Sequence, residues 1–156
     1  MAATARDTPP HDDGLATRAA ATVRSVELRV GARTESVPVV RNLVACWLEA
    51  LGAERRLIED VLLVVTELTI NAVEASPSPD AEVTVRAWVD DDVVVEVDDE
   101  GAGFTPDIPE TPPSPRARRG RGLMIVTALT DGVEVERHDG RTRVTARRAI
   151  AGDHVA

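Results

Sequence analysis

Several residue types are scarce in this chain of 156 residues, and each scarcity excludes a class of chemistry. All 18 basic residues are Arg, so no Lys is available to bind the phosphates of a P-loop or to form a Schiff base. A single cysteine, Cys46, excludes an internal disulfide framework and a cysteine-based zinc site. The three histidines, His11, His138 and His154, are scattered and do not indicate a metal cluster or a phosphoacceptor site.

The chain also has fewer basic residues than acidic ones, 18 against 27. The net charge of −9 argues against general nucleic-acid binding, because a phosphate backbone would repel the protein. No apolar stretch approaches 18 residues, so we expect no membrane span. The N-terminal residues lack the apolar core of a signal peptide, which favours a cytoplasmic protein.

Hydrophobic periodicity predicts a single domain with strands and helices in the order β-α-α-β-β-loop-α-β-β. We expect strands at residues 25–31, 82–89, 93–98, 132–138 and 142–149, and helices at 34–51, 54–75 and about 120–130. This segregation is typical of an α+β fold, with a mixed, mostly antiparallel sheet and helices on one face.

Three further segments complete the predicted organisation. Residues 1–24 and 150–156 are expected to be flexible tails on either side of a domain at 25–149. Residues 99–119 contain five prolines and are expected to form a long loop, which inside a compact domain is usually functional or disordered.

The first motif is ELTINA, residues 67–72, within the longer predicted helix. Glu67 and Asn71 are four residues apart and therefore share one face. The carboxylate could orient or deprotonate a nucleophile, and the amide oxygen could coordinate Mg²⁺. The alternative is a solvated helix face. Leu63 and Ile70 near the same line, and an Asn in mid-helix, weigh against that alternative.

The second motif is DEGAGF, residues 99–104, directly after an apolar strand. Gly101 and Gly103 permit close approach of a flat ligand, and Asp99 could accept a hydrogen bond from an adenine amino group. An ordinary loop with an Asx-turn is the alternative.

The third motif is GRGL, residues 120–123, at a predicted helix start, where free N–H groups favour an anion. Four arginines surround its glycines: Arg116, Arg118, Arg119 and Arg121. A basic cluster on an acidic chain favours an anion site, whereas a solvated charged loop is the alternative.

In this order, the motifs resemble the N, G1 and G2 boxes of the GHKL (Bergerat-fold) ATPases, the superfamily of gyrase, histidine kinases and mismatch-repair ATPases. The segments VVTELTINAVEAS, VDDEGAGF and RGRGLMIV, without dimerisation helices, are similar to the stand-alone anti-sigma-factor serine kinases of bacteria. The resemblance covers residues 25–148 and implies a two-layer α/β sandwich that binds ATP and Mg²⁺.

The resemblance also implies a role for each matching residue. Asn71 would bind the Mg²⁺ that bridges the ATP phosphates, Asp99 would accept from the adenine amino group, and Glu67 would be the base that activates a Ser or Thr hydroxyl. The other implied ATP-binding residues are Gly101, Gly103, Gly120, Arg121, Gly122, Leu123 and Thr142. In the late Gly-Thr signature of the family, this chain has Arg141 between Gly140 and Thr142.

The resemblance therefore implies an ATP-dependent serine/threonine kinase that phosphorylates an anti-anti-sigma (STAS-type) partner, sequesters a sigma factor and regulates transcription. A homodimer is expected from the resemblance only. Two alternatives stay open. The chain could be a non-catalytic ATP-binding regulatory module whose occupancy controls partner binding, or an interaction domain with a degenerate pocket.

Overall fold

The computed structural model describes residues 18–21, 24–101 and 121–150, and for residues 18–21 and 121 it describes the backbone alone. The predicted α+β class is confirmed, and most elements begin or end within two residues of their predicted bounds. The elements are β1 (Arg18–Ala21), β2 (Ser25–Gly31), α1 (Ser36–Ala50), α2 (Arg55–Ala75), β3 (Glu82–Val89), β4 (Asp92–Asp99), α3 (Arg121–Leu129), β5 (Gly132–His138) and β6 (Arg141–Ala149).

The predicted tail over residues 1–24 is wrong for residues 18–21, which form β1 and pair with β2. A strand at a sheet edge needs only backbone hydrogen bonds to one neighbour, so this Ala-rich segment can pair without apolar alternation. The rest of that predicted tail up to residue 23, the prolines of the long loop and residues 151–156 lie outside the described residues.

The sheet has six strands in the order β1-β2-β3-β4-β6-β5. The expectation of a mixed sheet is wrong for the described part, where all neighbouring strands are antiparallel. The reason is geometric. Helices α1 and α2 return the chain to the end where β2 stopped, so β3 runs back along it. The single helix α3 makes β5 parallel to β4, but β6 lies between them.

Two turns show how local chemistry sets these connections. Gly52 ends α1 with a φ of 70°, and its N–H donates to the Glu49 carbonyl, as expected for a glycine that terminates a helix. Asp139 and Gly140 join β5 to β6 with φ values of 51° and 75°, the pair of positive angles that a two-residue hairpin turn requires.

The helices cover one face of the sheet, and the core lies between the two layers. Alternate residues of the central strands face the helices, including Leu28, Val85 and Val95. The central helix α2 places Val65 and Leu68 against them, which confirms the predicted apolar stripe of this helix. None of the helices in the described part combines the length and apolarity needed to cross a bilayer.

The opposite face of the sheet has cross-strand ion pairs. Arg86 on β3 lies 2.9 Å from Glu27 on β2 and 2.7 Å from Glu96 on β4. Arg143 on β6 bonds to Asp98 at 3.1 Å and lies 3.6 Å from Glu96. Acidic and basic side chains therefore alternate across β2, β3, β4 and β6. The last of these ion pairs, between Arg143 and Asp98, lies beside the C-terminus of β4.

We expect Leu68→Ala to lower the free energy of unfolding by about 2–5 kcal/mol, because its side chain is buried and leaves a cavity. Leu63→Ala on the outer surface of the same helix, where the side chain is 43% exposed, should change it by no more than about 0.5 kcal/mol. Urea denaturation measures both. Equal effects would mean that α2 does not pack in the orientation described.

Candidate functional site

The candidate site lies where four chain segments meet at one end of the sheet: the C-termini of α2 and β4 and the N-termini of α3 and β6. Glu67 and Asn71 lie on α2, both partly exposed. This helix is held in place by its buried face, so the outward side chains keep their one-turn spacing.

Gly122, in the first turn of α3, lies against the side chains of Glu67 and Asn71. A Cβ at Gly122 would fall 2.5 Å from Glu67 Oε2 and 3.6 Å from Asn71 Nδ2. The missing side chain therefore lets the start of α3 approach the carboxylate, which is favourable because a helix N-terminus carries partial positive charge. The next residue, Leu123, is buried and anchors this turn.

Asp99 is the last residue of β4 and is only 3% exposed. Its Oδ1 accepts a hydrogen bond of 2.6 Å from the Gly101 N–H. Burial raises the pKa of Asp99; the Gly101 N–H lowers it, the neighbouring Asp98 raises it, and Arg141 lowers it. The net result is a pKa above the ordinary value, so the fold holds a carboxylate where its charge is disfavoured.

Gly101 makes the turn after β4 possible. A Cβ there would lie 2.6 Å from the Ala75 carbonyl oxygen at the end of α2 and 2.6 Å from Asp99 Oδ1. Only a residue without a side chain allows this close approach between the turn and the helix end.

We expect Gly101→Ala to destabilise the fold by about 1–3 kcal/mol, because the added methyl group meets backbone that cannot swing aside. Gly132→Ala is the matched control, since a Cβ there would meet nothing within 4 Å. Thermal unfolding of both variants checks the prediction. A Gly101→Ala variant as stable as the Gly132→Ala variant would contradict the close approach.

Thr142 on β6 lies beside Asp99 in the sheet register, on the same face. It is fully buried, and its Oγ1 donates to the Gly101 carbonyl at 3.4 Å. Arg137 on β5 is the next residue in the same row. A surface pocket of about 310 Å³ adjoins this end of the sheet and is lined by Gly101 and the five residues 137–141 of the β5–β6 turn.

The structure thus brings the sequence-predicted residues together in two groups. One group is Glu67, Asn71 and Gly122; the other is Asp99, Gly101 and Thr142. The helix α2 joins them, because its last residue, Ala75, touches Gly101. Gly103, Gly120 and the Arg cluster at 116–119 lie outside the described residues, as does the side chain of Arg121.

Sequence reasoning missed the part that Arg141 plays. It singled out this residue only as an interruption of the Gly-Thr signature. Because neighbouring residues of a strand face opposite sides, Arg141 faces away from Thr142 and leaves the Asp99 side of the sheet clear. Its partners are Asp98 and Glu100, and the run of acids at 98–100 beside a paired strand is the signal that could have indicated this contact.

A metal ion at this site would have to share its coordination with a ligand. Among the described residues, no group of three or more His, Cys, Asp or Glu side chains is arranged to hold a metal. Asn71 offers a hard amide oxygen on α2. A single side-chain oxygen fits Mg²⁺, which is usually held by one or two side chains together with substrate phosphates rather than by a cage of protein groups.

Comparisons with known proteins identify the family of the chain. The sequence model of one protein family, the histidine kinase-like ATPase domain, matches residues 30–148 of this chain. The chain is 30% identical over 142 residues to the serine-protein kinase RsbW of Bacillus subtilis (strain 168), covering 83% of this chain and 88% of that protein.

Two solved structures share the fold. One contains the RsbU and RsbW domains of a Mycobacterium tuberculosis protein, with a TM-score of 0.62 and 21% identity over 80% of this chain and 31% of that one. The other is the SiaB–SiaC complex of Pseudomonas aeruginosa, with a TM-score of 0.55 and 18% identity over 77% of this chain and 87% of that one. The motifs, the antiparallel sheet and the family match together show that the chain belongs to the histidine kinase-like ATPase domain family.

Proposed function

We propose that this chain is an ATP-dependent protein serine/threonine kinase that acts as an anti-sigma factor and phosphorylates an anti-anti-sigma partner. The observation that carries the proposal is the relation to a serine-protein kinase over 88% of that protein's length, combined with Glu67 and Asn71 one turn apart beside Gly122. A sigma factor, a STAS-type substrate and a homodimer are the partners that the family resemblance implies.

The Asp99 group would hold the base of the nucleotide. In the described part of the chain, only the Gly101 N–H donates to the Asp99 carboxylate, so its second oxygen can accept from the adenine amino group. The Gly101 turn, kept thin by its missing side chain, would form the floor under the purine together with Gly103. Thr142 would support the same edge from β6.

The Glu67 group would hold the phosphates and the metal. Mg²⁺, when bound, neutralises charge on the transferred phosphoryl group. Asn71 would supply its side-chain oxygen to the ion, and the start of α3 would cover the phosphates with the main-chain N–H groups of Gly120, Arg121, Gly122 and Leu123. Because Gly122 has no side chain, the start of α3 lies close to Glu67 and Asn71, so its main-chain N–H groups and the Asn71 amide would meet the phosphates at one place.

Glu67 would act as the general base. Its carboxylate is partly exposed and borders Gly122, so a partner's hydroxyl can reach it from outside. The carboxylate would take the proton of a Ser or Thr hydroxyl as that oxygen forms a bond to the γ-phosphorus. ADP leaves as the bond to the β,γ-bridging oxygen breaks.

The test is transfer of labelled γ-phosphate to a STAS-type protein from the same genome, with mass spectrometry to locate the modified residue. We expect one modified Ser or Thr, and no label on a substrate in which that residue is replaced by Ala. If the partner binds in an ATP-dependent way and remains unmodified, the chain is a regulatory binding module and the kinase proposal is wrong.

A further inference from the structure

Arg141 holds both residues that flank Asp99. Its Nε donates to Asp98 Oδ1, and its Nη1 donates to Glu100 Oε1 at 3.1 Å. Asp98 is the residue before Asp99, and Glu100 is the residue after it. One guanidinium on β6 therefore spans the point where β4 ends and the Gly101 turn begins.

At the end of β4, different residues face the two sides of the sheet. Asp99 and Thr142 face the helices, whereas Asp98 and Arg141 face the open side. Arg141 therefore binds the carboxylates on either side of Asp99 in the chain without lying on the Asp99 face itself. The Asp98 carboxylate is 5% exposed and the Arg141 side chain 26% exposed, so this contact is better shielded from water than an ordinary surface pair.

Arg143 provides a comparison within the same strand. It also bonds to Asp98, at 3.1 Å, but its other acid is Glu96, further from the turn. Arg143 therefore holds β4 on one side of Asp99 only. Arg141 is the described residue that holds both sides.

We propose that Arg141 is a positioning residue for nucleotide recognition: by fixing Asp98 and Glu100 it sets the orientation in which Asp99 meets the 6-amino group of adenine. The inference rests on the proposed function, because it assigns Asp99 to adenine. The charge of Arg141 supports it, since this charge opposes the effects of burial and of Asp98, which raise the pKa of Asp99.

The experiment compares two nucleotides by calorimetric titration in the presence of Mg²⁺: ATP and purine riboside triphosphate, which lacks the 6-amino group. The variants are Arg141→Ala, Arg141→Gln and Arg141→Lys, with Arg143→Ala as the matched control. We expect the preference of the wild type for ATP to fall roughly tenfold in Arg141→Ala and Arg141→Gln, about the size of one charge-assisted hydrogen bond. Arg141→Lys should recover part of it, and Arg143→Ala should keep most of it.

Two outcomes would overturn the inference: an unchanged preference for ATP in the Arg141 variants, including equal weakening of both nucleotides, or the same loss of preference in Arg143→Ala. Equal weakening would mean that Arg141 only supports the fold. If Arg141→Ala does not fold, Arg141→Gln keeps part of the aliphatic stem and an N–H donor, and it decides the question.

Asp99→Asn, measured alongside, separates this inference from the proposed function. If Asp99→Asn removes the preference for ATP and the Arg141 variants do not, only the inference fails. If Asp99→Asn leaves the preference intact, the assignment of Asp99 to adenine is wrong, and the inference falls with it.

Discussion

Glu67→Ala is expected to lower phosphoryl transfer to the partner by roughly 10²–10⁴, the usual value of a general base, while ATP affinity stays within about threefold. The reason is positional. Glu67 borders the start of α3 beside Asn71, but the groups assigned to the base of the nucleotide lie at Asp99 and Gly101. Removal of the carboxylate therefore takes away the proton acceptor and leaves the adenine contacts intact.

Two further variants make this test specific to the carboxylate. Glu67→Gln keeps the size of the side chain and removes its basicity. Its rate of phosphoryl transfer should therefore be nearly as low as that of Glu67→Ala. Glu59→Ala removes an exposed carboxylate of the same helix, two turns earlier, and should transfer phosphate normally. Single-turnover assays at saturating ATP isolate the chemical step. Normal transfer by Glu67→Gln would exclude Glu67 as the base.

The periodic part of the fold was predictable from sequence because it is a local property. The apolar residues of α2 recur at helical spacing, and the buried face observed in the structure includes Val61, Val65 and Leu68. The Glu67–Asn71 pair follows from the same spacing. The order of the strands was harder to predict from sequence, because the position of β6 between β4 and β5 depends on the path of α3 across the sheet.

The part of the candidate site that the sequence could not predict consists of contacts between segments that are distant in sequence. The approach of the Ala75 carbonyl to Gly101 and of Glu67 to Gly122 depends on how α2 lies against β4 and α3. The sequence shows a glycine at each position but cannot show which atoms come close to it. The same holds for Arg141, whose partners Asp98 and Glu100 lie some forty residues earlier in the chain.

The second large effect is expected for Asp99→Asn, which should weaken ATP binding by about 10–100-fold through loss of a charge-assisted hydrogen bond. In the wild type the Gly101 N–H donates to Asp99 Oδ1, and the side-chain oxygen of Asn can accept the same hydrogen bond. The amide nitrogen would then face the adenine amino group, donor against donor. Thermal shift and calorimetry with Mg²⁺-ATP measure the loss.

Thermal shift sets a clear scale for this comparison. A ligand at about 100 times its Kd adds roughly 2.7 kcal/mol to the wild type, and at the same ATP concentration a variant that binds about 10–100-fold more weakly should gain only about 0.4–1.4 kcal/mol. Asp92→Asn, at the opposite end of the same strand, is the matched control and should bind ATP as the wild type does. An Asp99→Asn variant with the full ATP shift would show that adenine is bound elsewhere.

The same substitution should not destabilise the free protein at neutral pH, and this separates recognition from folding. The pKa of Asp99 is raised in the folded state, chiefly by burial, so folding favours the protonated carboxyl group. The stability that Asp99 contributes is therefore fully present below its unfolded pKa and is lost as the pH rises through the higher folded value. Asn carries no charge at any pH. The free energy of unfolding of Asp99→Asn relative to wild type should therefore rise from acidic to neutral pH, as measured by urea denaturation without nucleotide. If the free energy of unfolding of Asp99→Asn minus that of the wild type falls over this range, the fold stabilises the ionised carboxylate rather than holding it there for its ligand.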